Sequence, residues 1–357
     1  MAPIPRESTA AVTGSAGFIG GWTVRRLLDC GYRVRACVRD ADEAEKTDFL
    51  KKMPGYASGR LTLHSADLDN EGCFDEIFAG CQAVAHISHV SRYDDADYVR
   101  GVCGHIIESV NRSETVNRVI VTSSVAAVMD EADMQELVRR PVLYEDRFPD
   151  EQNPRRTPDR KGYSMGKVIA ERAFAEAADR NGRWDAVTCC PADNIGPILS
   201  AHQGRGGWQG NIGMMLQGEY FQTQAYRPWM TVDVRDTADC HVGLLESVRV
   251  KNGERYIAWS TDRNNIEDIC AGIDRFLPEL GHDAAEPTDP FPERIKAREA
   301  ELREIWAGCE LRNERIRSVT PIVFRPFGES LRDCVESLIT VGGVEVQKKS
   351  DFGSGGE

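Results

Sequence analysis

Along the first third of the chain, short apolar runs alternate with amphipathic stretches. Thr9-Ala10-Ala11-Val12 is an apolar strand, followed by a glycine-rich turn and a helical pattern over 18–28. Residues 33–38 read as a second strand, 42–52 as a charged helix, 61–64 as a third strand and 71–79 as a helix. A fourth strand over 83–87, a helix over 97–110 and a fifth strand over 119–121 continue the rhythm. Strands alternating with helices predict right-handed βαβ units and a parallel sheet.

Residues 130–160 interrupt that rhythm. They are polar and carry Pro141, Pro149, Pro154 and Pro158, which predicts a long surface excursion. Helix is predicted to return at 163–178 and strand at 185–190. Residues 196–228 are rich in glycine and aromatics, the pattern of a substrate-side cap rather than a sheet layer. A strand at 229–232 and a helix over 235–248 are expected to rejoin the main fold, and 260–340 to be helix-rich. The resulting expectation is an α/β protein with a Rossmann-type doubly wound parallel sheet and a smaller, mostly helical substrate lobe. The dinucleotide-binding domain is assigned to 1–195, completed by about 229–260. The substrate lobe takes 196–228 and 261–345, with a flexible tail at 346–357.

Composition narrows the partners. The 357 residues carry 44 basic and 57 acidic side chains, a net charge of −13. That disfavours a nucleic-acid backbone or an anionic membrane surface, both of which need a basic face. No run of about 18 apolar residues predicts a membrane span. The opening Met1–Glu7 segment lacks the apolar stretch of a secretory signal, so a cytoplasmic protein is expected, as monomer or homodimer. The eleven cysteines are an odd number, scattered, with no Cys-x-x-Cys pair; buried free thiols in a reducing compartment fit them.

Glycines at 14, 17 and 20 lie between a predicted strand and a predicted helix, in Val12-Thr13-Gly14-Ser15-Ala16-Gly17-Phe18-Ile19-Gly20. A tight turn there lets the backbone approach a pyrophosphate, which then meets the N–H groups of the helix start. The spacing is GxxGxxG, and the strand–turn–helix context points to a dinucleotide. The second strand ends in Val38-Arg39-Asp40. Arg39 can stack on adenine and pair with a 2′-phosphate, and Lys46 supplies a second cation, so NADP is expected before NAD.

Tyr163-Ser164-Met165-Gly166-Lys167 places a phenol and an ammonium four residues apart, on one helical face. The cation stabilises phenolate, and such a tyrosine can donate a proton to a carbonyl receiving hydride. Upstream, Thr122-Ser123-Ser124 closes a strand with hydroxyls. A serine there either polarises a substrate carbonyl or caps the next segment.

The order of glycine turn, strand-end serine and Tyr-x-x-x-Lys resembles the extended short-chain dehydrogenase/reductase superfamily. Within it the chain is similar to the group of dihydroflavonol reductases, cinnamoyl-CoA reductases and microbial aldehyde or ketone reductases, from Val12 to about Ile339. The likeness also rests on Val34-Arg35-Ala36-Cys37-Val38-Arg39-Asp40, Ala66-Asp67-Leu68, Val84-Ala85-His86-Ile87-Ser88 and Cys190-Pro191. Ile195-Gly196-Pro197 and Val232-Asp233-Val234-Arg235-Asp236 with His241 extend it.

The resemblance implies roles. Ser124 would hold the carbonyl oxygen, Tyr163 would donate the proton, and Lys167 would hold the nicotinamide ribose and tune Tyr163. Gly14, Gly17, Phe18 and Ile19 would cradle the pyrophosphate. Asp67 and Leu68 would flank the adenine, Ile87, Ser88 and His89 the cofactor's centre, and Thr122 and Pro191 its nicotinamide end. Val90, Met129 and Tyr220 are candidate substrate contacts.

Three departures from the group stand out. Met129 occupies the position where dihydroflavonol reductases carry a substrate-binding asparagine, which argues against a flavonoid triol substrate. Gly162 replaces the tryptophan of the cinnamoyl-CoA reductases. Ala192-Asp193-Asn194 is polar where the group is apolar, and Asn194 binds substrate or the nicotinamide carboxamide, or caps a loop. His86, His89 and His105 have no metal-ligand spacing, and no metal is expected.

Met214, Met215, Leu216, Tyr220, Phe221 and Trp229 fit either an apolar pocket or the packing of the small lobe. The charged stretch 292–316 is expected to be helical and to pack on its own lobe or a second subunit. The leading expectation is NADPH-dependent reduction of an aldehyde or ketone on a bulky apolar or aromatic molecule. The alternatives are an NAD-holding epimerase or dehydratase, a steroid-type dehydrogenase, and a non-catalytic cofactor sensor.

Overall fold

The computed structural model describes residues 3–130, 133, 136–153, 158–219, 228–282, 300–301 and 303–346. In chain order the strands are β1 (Thr9–Thr13), β2 (Arg33–Val38), β3 (Leu61–Ser65), β4 (Ala83–His86), β5 (Arg118–Thr122), β6 (Val142–Leu143), β7 (Asp185–Pro191), β8 (Asp193–Ile195), β9 (Pro228–Asp233), β10 (Arg255–Ala258), β11 (Arg263–Asn265) and β12 (Glu310–Leu311). The helices are α1 (Phe18–Asp29), α2 (Ala44–Lys51), α3 (Asp75–Phe78), α4 (Ala96–Arg112), α5 (Glu136–Arg139), α6 (Pro158–Asn181), α7 (Gly207–Leu216), α8 (Val234–Glu246), α9 (Ile266–Glu279), α10 (Glu314–Val319) and α11 (Phe327–Thr340).

Seven strands form one parallel sheet in the order β3-β2-β1-β4-β5-β7-β10. Its central strands read as unbroken apolar runs, Ala10-Ala11-Val12, Ala83-Val84-Ala85 and Val119-Ile120-Val121, all buried. Helices on both faces of a parallel sheet require that pattern. On one face α4 and α6 contribute Val99, Val102, Cys103, Ile106 and Phe174 to the core. Strand order reverses between β1 and β4, where doubly wound folds open a ligand crevice at the strands' carboxyl ends.

The chain divides into two compact units. The first comprises Met1–Ala192, Arg235–Ala258 and Glu310–Val323; the second comprises Asp193–Val234, Trp259–Cys309 and Phe324–Glu357. The expected boundaries differ in three places, the first being Asp193–Ile195, expected in the dinucleotide domain and found in the second unit. The strand foreseen at 229–232 is β9, and it lies in the second unit, paired parallel with β8 (Asn194 opposite Val232) and antiparallel with β11 (Asn264 opposite Trp229). The sheet position beside β7 is filled instead by β10, with Tyr256 opposite Cys189. An apolar run identifies a strand but not its neighbour. Residues 310–323, expected in the substrate lobe, return to the first unit, where β12 pairs with β6.

Helix α6 starts at Pro158 rather than Tyr163. Proline is favoured in the first helical turn, where its missing N–H costs nothing, so Pro158 begins a helix where a loop was expected. Tyr163 therefore sits in the second turn. The helix foreseen over 71–79 is reduced to the four residues of α3. The tail at 347–357 and the whole 292–299 part of the charged stretch lie outside the described residues; Trp306, further along it, is buried.

A buried ion pair ties strands to a helix end in the first unit. Arg118 and Asp185 stand opposite each other on β5 and β7, with Nε and Nη2 donating to the two carboxylate oxygens at 2.8 and 3.0 Å. Nη1 donates to the carbonyls of Leu244, Leu245 and Ser247 at 2.7–3.0 Å, satisfying the C-terminal end of α8.

Candidate active site

At the reversal point, the end of β1 is pinned to the end of β4 by one hydroxyl. Thr13 Oγ1 accepts from the N–H groups of Ile87 at 3.0 Å and Ser88 at 3.1 Å. Its own proton is then left for His86 Nδ1, 3.0 Å away. His86 is accordingly neutral, with its proton on Nε2. Burial, followed by the charge of Lys167, lowers its pKa to about 3. His86 is thus a fixed strand-end acceptor.

Gly14 has φ +68°, and a Cβ there would stand 3.0 Å from both the backbone nitrogen and Oγ of Ser88. Only glycine leaves this cradle open between the two strand ends. Gly17 is the N-cap of α1, Phe18 and Ile19 begin the helix, and its first turn holds no acidic residue. Backbone N–H groups at such a turn suit a pyrophosphate. The cradle and the acid-free helix start fit a dinucleotide.

Toward the β3 edge, Arg39 follows β2 with its side chain 82% exposed and its Nε 3.7 Å from Asp67. Lys46 on α2 pairs with Glu43 at 2.7 Å. The Asp40 carboxylate accepts from the N–H of Asp42 at 2.9 Å, turned into its own loop. Asp67 Oδ1 also accepts from Asp69 N, and the Leu68 carbonyl faces His105 Nδ1 at 2.8 Å.

The hydroxyls at the end of β5 separate in role. Ser123 is buried and donates to Glu171 Oε1 on α6. Ser124 is half-buried, and its Oγ accepts from the N–H of Ala126 at 3.1 Å, capping the short 3₁₀ turn Val125–Ala127. A serine that accepts keeps its proton to donate. Capping and carbonyl binding are therefore compatible at Ser124. The Thr122 hydroxyl is held by His241 at 2.7 Å; since His241 Nδ1 donates to the Thr237 carbonyl, Nε2 is the acceptor from Thr122. Burial lowers the pKa of His241 to about 4. What Thr122 presents is its carbonyl, which accepts from Lys167 Nζ at 3.0 Å.

Lys167 is buried, whereas Tyr163 is 44% exposed. The Lys167 Nζ lies 5.8 Å from the centroid of the Tyr163 ring. Burial lowers the Lys167 pKa, but the Tyr163 and Tyr93 phenols outweigh it and the net shift is upward. The upward shift favours the charged ammonium.

Tyr93 was not foreseen. Its ring meets Tyr163 edge to face, centroids 4.9 Å apart at 75°, and its centroid is 5.5 Å from Lys167 Nζ. Gly162 and Gly166 permit this approach. A Cβ on Gly166 would come within 2.6 Å of the Tyr93 ring, and one on Gly162 within 2.8 Å of Asp94 N. The glycine that departs from the cinnamoyl-CoA reductase pattern thus makes room for a neighbouring loop. Two glycines four apart on a helix bearing a Tyr-Lys pair were the available signal. Glu171, one further turn along that face, was also missed.

Ile87 and Ser88 are half-buried after β4, His89 is exposed and Val90 is buried. Met129 is 5% exposed, with its backbone N–H bonded to the Val125 carbonyl. Pro191 ends β7 opposite Ala258. Asn194 belongs to the second unit, where its carbonyl accepts from Gln209 Nε2 at 2.8 Å. Tyr220 lies outside the described residues. Among the described residues no group of metal-ligating side chains converges, and no helix is long and apolar enough to cross a membrane. No cysteine is in a disulfide, and burial raises the thiols of Cys37, Cys189, Cys190 and Cys240.

The fold and the residues at its strand ends define a Rossmann-type, NAD(P)-dependent oxidoreductase acting on carbonyl or CH–OH groups. The chain belongs to the NAD dependent epimerase/dehydratase family, whose model matches residues 10–258. Dihydroflavonol 4-reductase from Callistephus chinensis is 32% identical over 289 residues, covering 76% of this chain and 73% of the relative. The enzyme of that name from Solanum lycopersicum is 31% identical over 300 residues, covering 77% and 71%. Among solved structures, vestitone reductase from alfalfa shares the fold with a TM-score of 0.70 at 23% identity, over 93% of this chain and 98% of that one. Yeast methylglyoxal/isovaleraldehyde reductase Gre2 complexed with NADPH has a TM-score of 0.72 at 19% identity, over 94% and 99%.

Proposed function

We propose that this protein uses NADPH to reduce an aldehyde or ketone on a bulky apolar or aromatic small molecule, reversibly, in the cytoplasm. The observation that carries the reading is the division of labour at the β5 end. Ser123 gives its proton to Glu171, and Ser124 keeps its own two residues beyond Thr122, whose carbonyl holds the Lys167 of the Tyr163–Lys167 pair.

A nicotinamide dinucleotide, when bound, supplies the hydride. Ser124 donates a hydrogen bond to the substrate oxygen as it gains charge. Tyr163 delivers its proton to that oxygen, and the Lys167 cation favours the phenolate left behind. The Thr122 carbonyl holds Lys167 with its charge 5.8 Å from the Tyr163 ring centroid. The Tyr93 ring beside Tyr163 supports an aromatic or apolar substrate. Relatives named for dihydroflavonol and for methylglyoxal or isovaleraldehyde support a small carbonyl compound.

Two features support NADPH over NADH. Arg39 is exposed at the end of β2, and the acid beside it, Asp40, is occupied by its own loop. An Arg39→Ala variant is expected to raise KM for NADPH roughly tenfold, the low end for a charged hydrogen bond, and to leave that for NADH unchanged. Initial rates with each cofactor measure this; equal effects on both would remove Arg39 from the 2′-phosphate site. The reading as a whole is tested by NADPH oxidation with benzaldehyde, cinnamaldehyde and acetophenone. No turnover, together with NAD that copurifies tightly bound, would favour an epimerase or dehydratase instead.

A further inference from the structure

We infer that the buried pair Glu171–Arg255 is a positioning device for Ser124, clamping the strand end on both sides of that hydroxyl. The inference rests on the reading of Ser124 as the group that holds the substrate oxygen.

Glu171 and Arg255 come from α6 and β10, and both side chains are nearly inaccessible, 5% and 6% exposed. Arg255 Nε stands 2.9 Å from Glu171 Oε2. From this pair two arms reach the Ser124 segment. Upstream, Glu171 Oε1 accepts from the Ser123 hydroxyl. Downstream, Arg255 Nη2 donates to the Ala127 carbonyl at 2.6 Å. Arg255 Nη1 donates to the carbonyls of Glu145 and Arg147, both at 2.8 Å, so the guanidinium cannot swing without breaking several bonds. The residues between the arms contain the 3₁₀ turn whose Ala126 N–H orients the Ser124 oxygen. Glu171 also follows Lys167 by four residues, so the helix face that carries the proton donor and its cation carries this anchor too.

Neither residue bonds Ser124 directly, since the two arms end on Ser123 and Ala127. Their effect on rate must pass through where Ser124 sits. A misplacement of about 1 Å in such a group is worth up to roughly a hundredfold in rate. The pair also has a structural cost if broken, since a lone buried charge is left behind. The decisive test is therefore non-additivity, not loss of activity.

The experiment is a double-mutant cycle read with NADPH and benzaldehyde. Ser124→Ala, Glu171→Gln and Ser123→Ala are made singly, and the last two are each combined with Ser124→Ala. Ser123→Ala cuts the Glu171 arm while leaving the ion pair whole, so it stands in if Glu171→Gln does not fold. Glu171→Gln or Ser123→Ala alone is expected to lower kcat roughly tenfold or more, with KM for NADPH within about twofold. In the Ser124→Ala background the same changes should cost less than about twofold. Full multiplication of the effects overturns the inference and leaves the role of Ser124 standing. An unchanged kcat in Ser124→Ala removes that role and the inference with it.

Backbone amide exchange supplies a readout independent of turnover. In Ser123→Ala the amides of Ala126 and Ala127 are expected to exchange faster, and those of the Gly14–Gly17 turn to be unchanged. Unaltered exchange at Ala126 and Ala127 also overturns the inference.

Discussion

Replacing Tyr163 by phenylalanine is expected to lower kcat for benzaldehyde reduction by about 10²–10⁴-fold, the range general acid catalysis supplies. NADPH affinity should be nearly unchanged, because the ring and its edge-to-face contact with Tyr93 remain. Only the proton is lost. In its absence the oxygen that receives negative charge would keep the Ser124 hydrogen bond but have no donor to complete the alcohol. Lys167 cannot substitute directly. It is buried, one of its protons is held by the Thr122 carbonyl, and its pKa is raised. A loss confined to kcat is the mark of an interaction made only in the transition state. Initial rates and a titration of NADPH fluorescence separate the two quantities. Near-wild-type turnover in this variant would sink the assignment of Tyr163 as donor.

Arg118→Leu is expected to have the largest effect on stability, about 3–5 kcal/mol, the cost of breaking a buried ion pair by removing one partner. Both side chains are inaccessible, 0% and 3% exposed, so water cannot replace the lost partner. The change leaves the Asp185 carboxylate alone between β5 and β7. It also removes the Arg118 donor from the carbonyls of Leu244, Leu245 and Ser247 at the end of α8, of which Leu245 keeps the Ile4 N–H. A urea melt should show a lower midpoint at a similar slope. Converting both partners, Arg118→Met with Asp185→Leu, should recover part of the loss, since the uncompensated charge disappears while the helix-end carbonyls still lack the Arg118 donor. If Arg118→Leu melts like the parent, the pair contributes little and the helix end is satisfied in another way.

These residues differ in how legible they were. The sheet strands of the first third appear as apolar runs because a parallel sheet covered on both faces buries nearly every side chain. The glycine turn and the Tyr163–Lys167 pair are local patterns, set by backbone geometry within a few residues. Ser123 and Ser124 are adjacent and chemically alike, so their order along the chain says nothing about which keeps its proton. That depends on Glu171, 48 residues from Ser123. Tyr93 reaches Tyr163 across 70 residues, through a gap that only Gly162 and Gly166 leave open. Likewise β9 looked like a strand of the main sheet because its composition is right, and its partners β8 and β11 cannot be read from composition.

By itself, then, the sequence determined the class of fold, the glycine turn between β1 and α1, and the Tyr163–Lys167 pair on one helical face. Each is written in periodicity or in spacing below one or two helical turns, where the chain's own geometry fixes which side chains share a face. The tertiary structure decided the rest: which serine donates its proton to Glu171, what anchors Lys167, which strand closes the sheet, and where the buried charges find partners. Those outcomes depend on contacts across tens to more than a hundred residues, as in Arg118 with Leu244 and Arg255 with Ala127. No local pattern encodes such pairings, because they exist only once the sheet has brought the strand ends together.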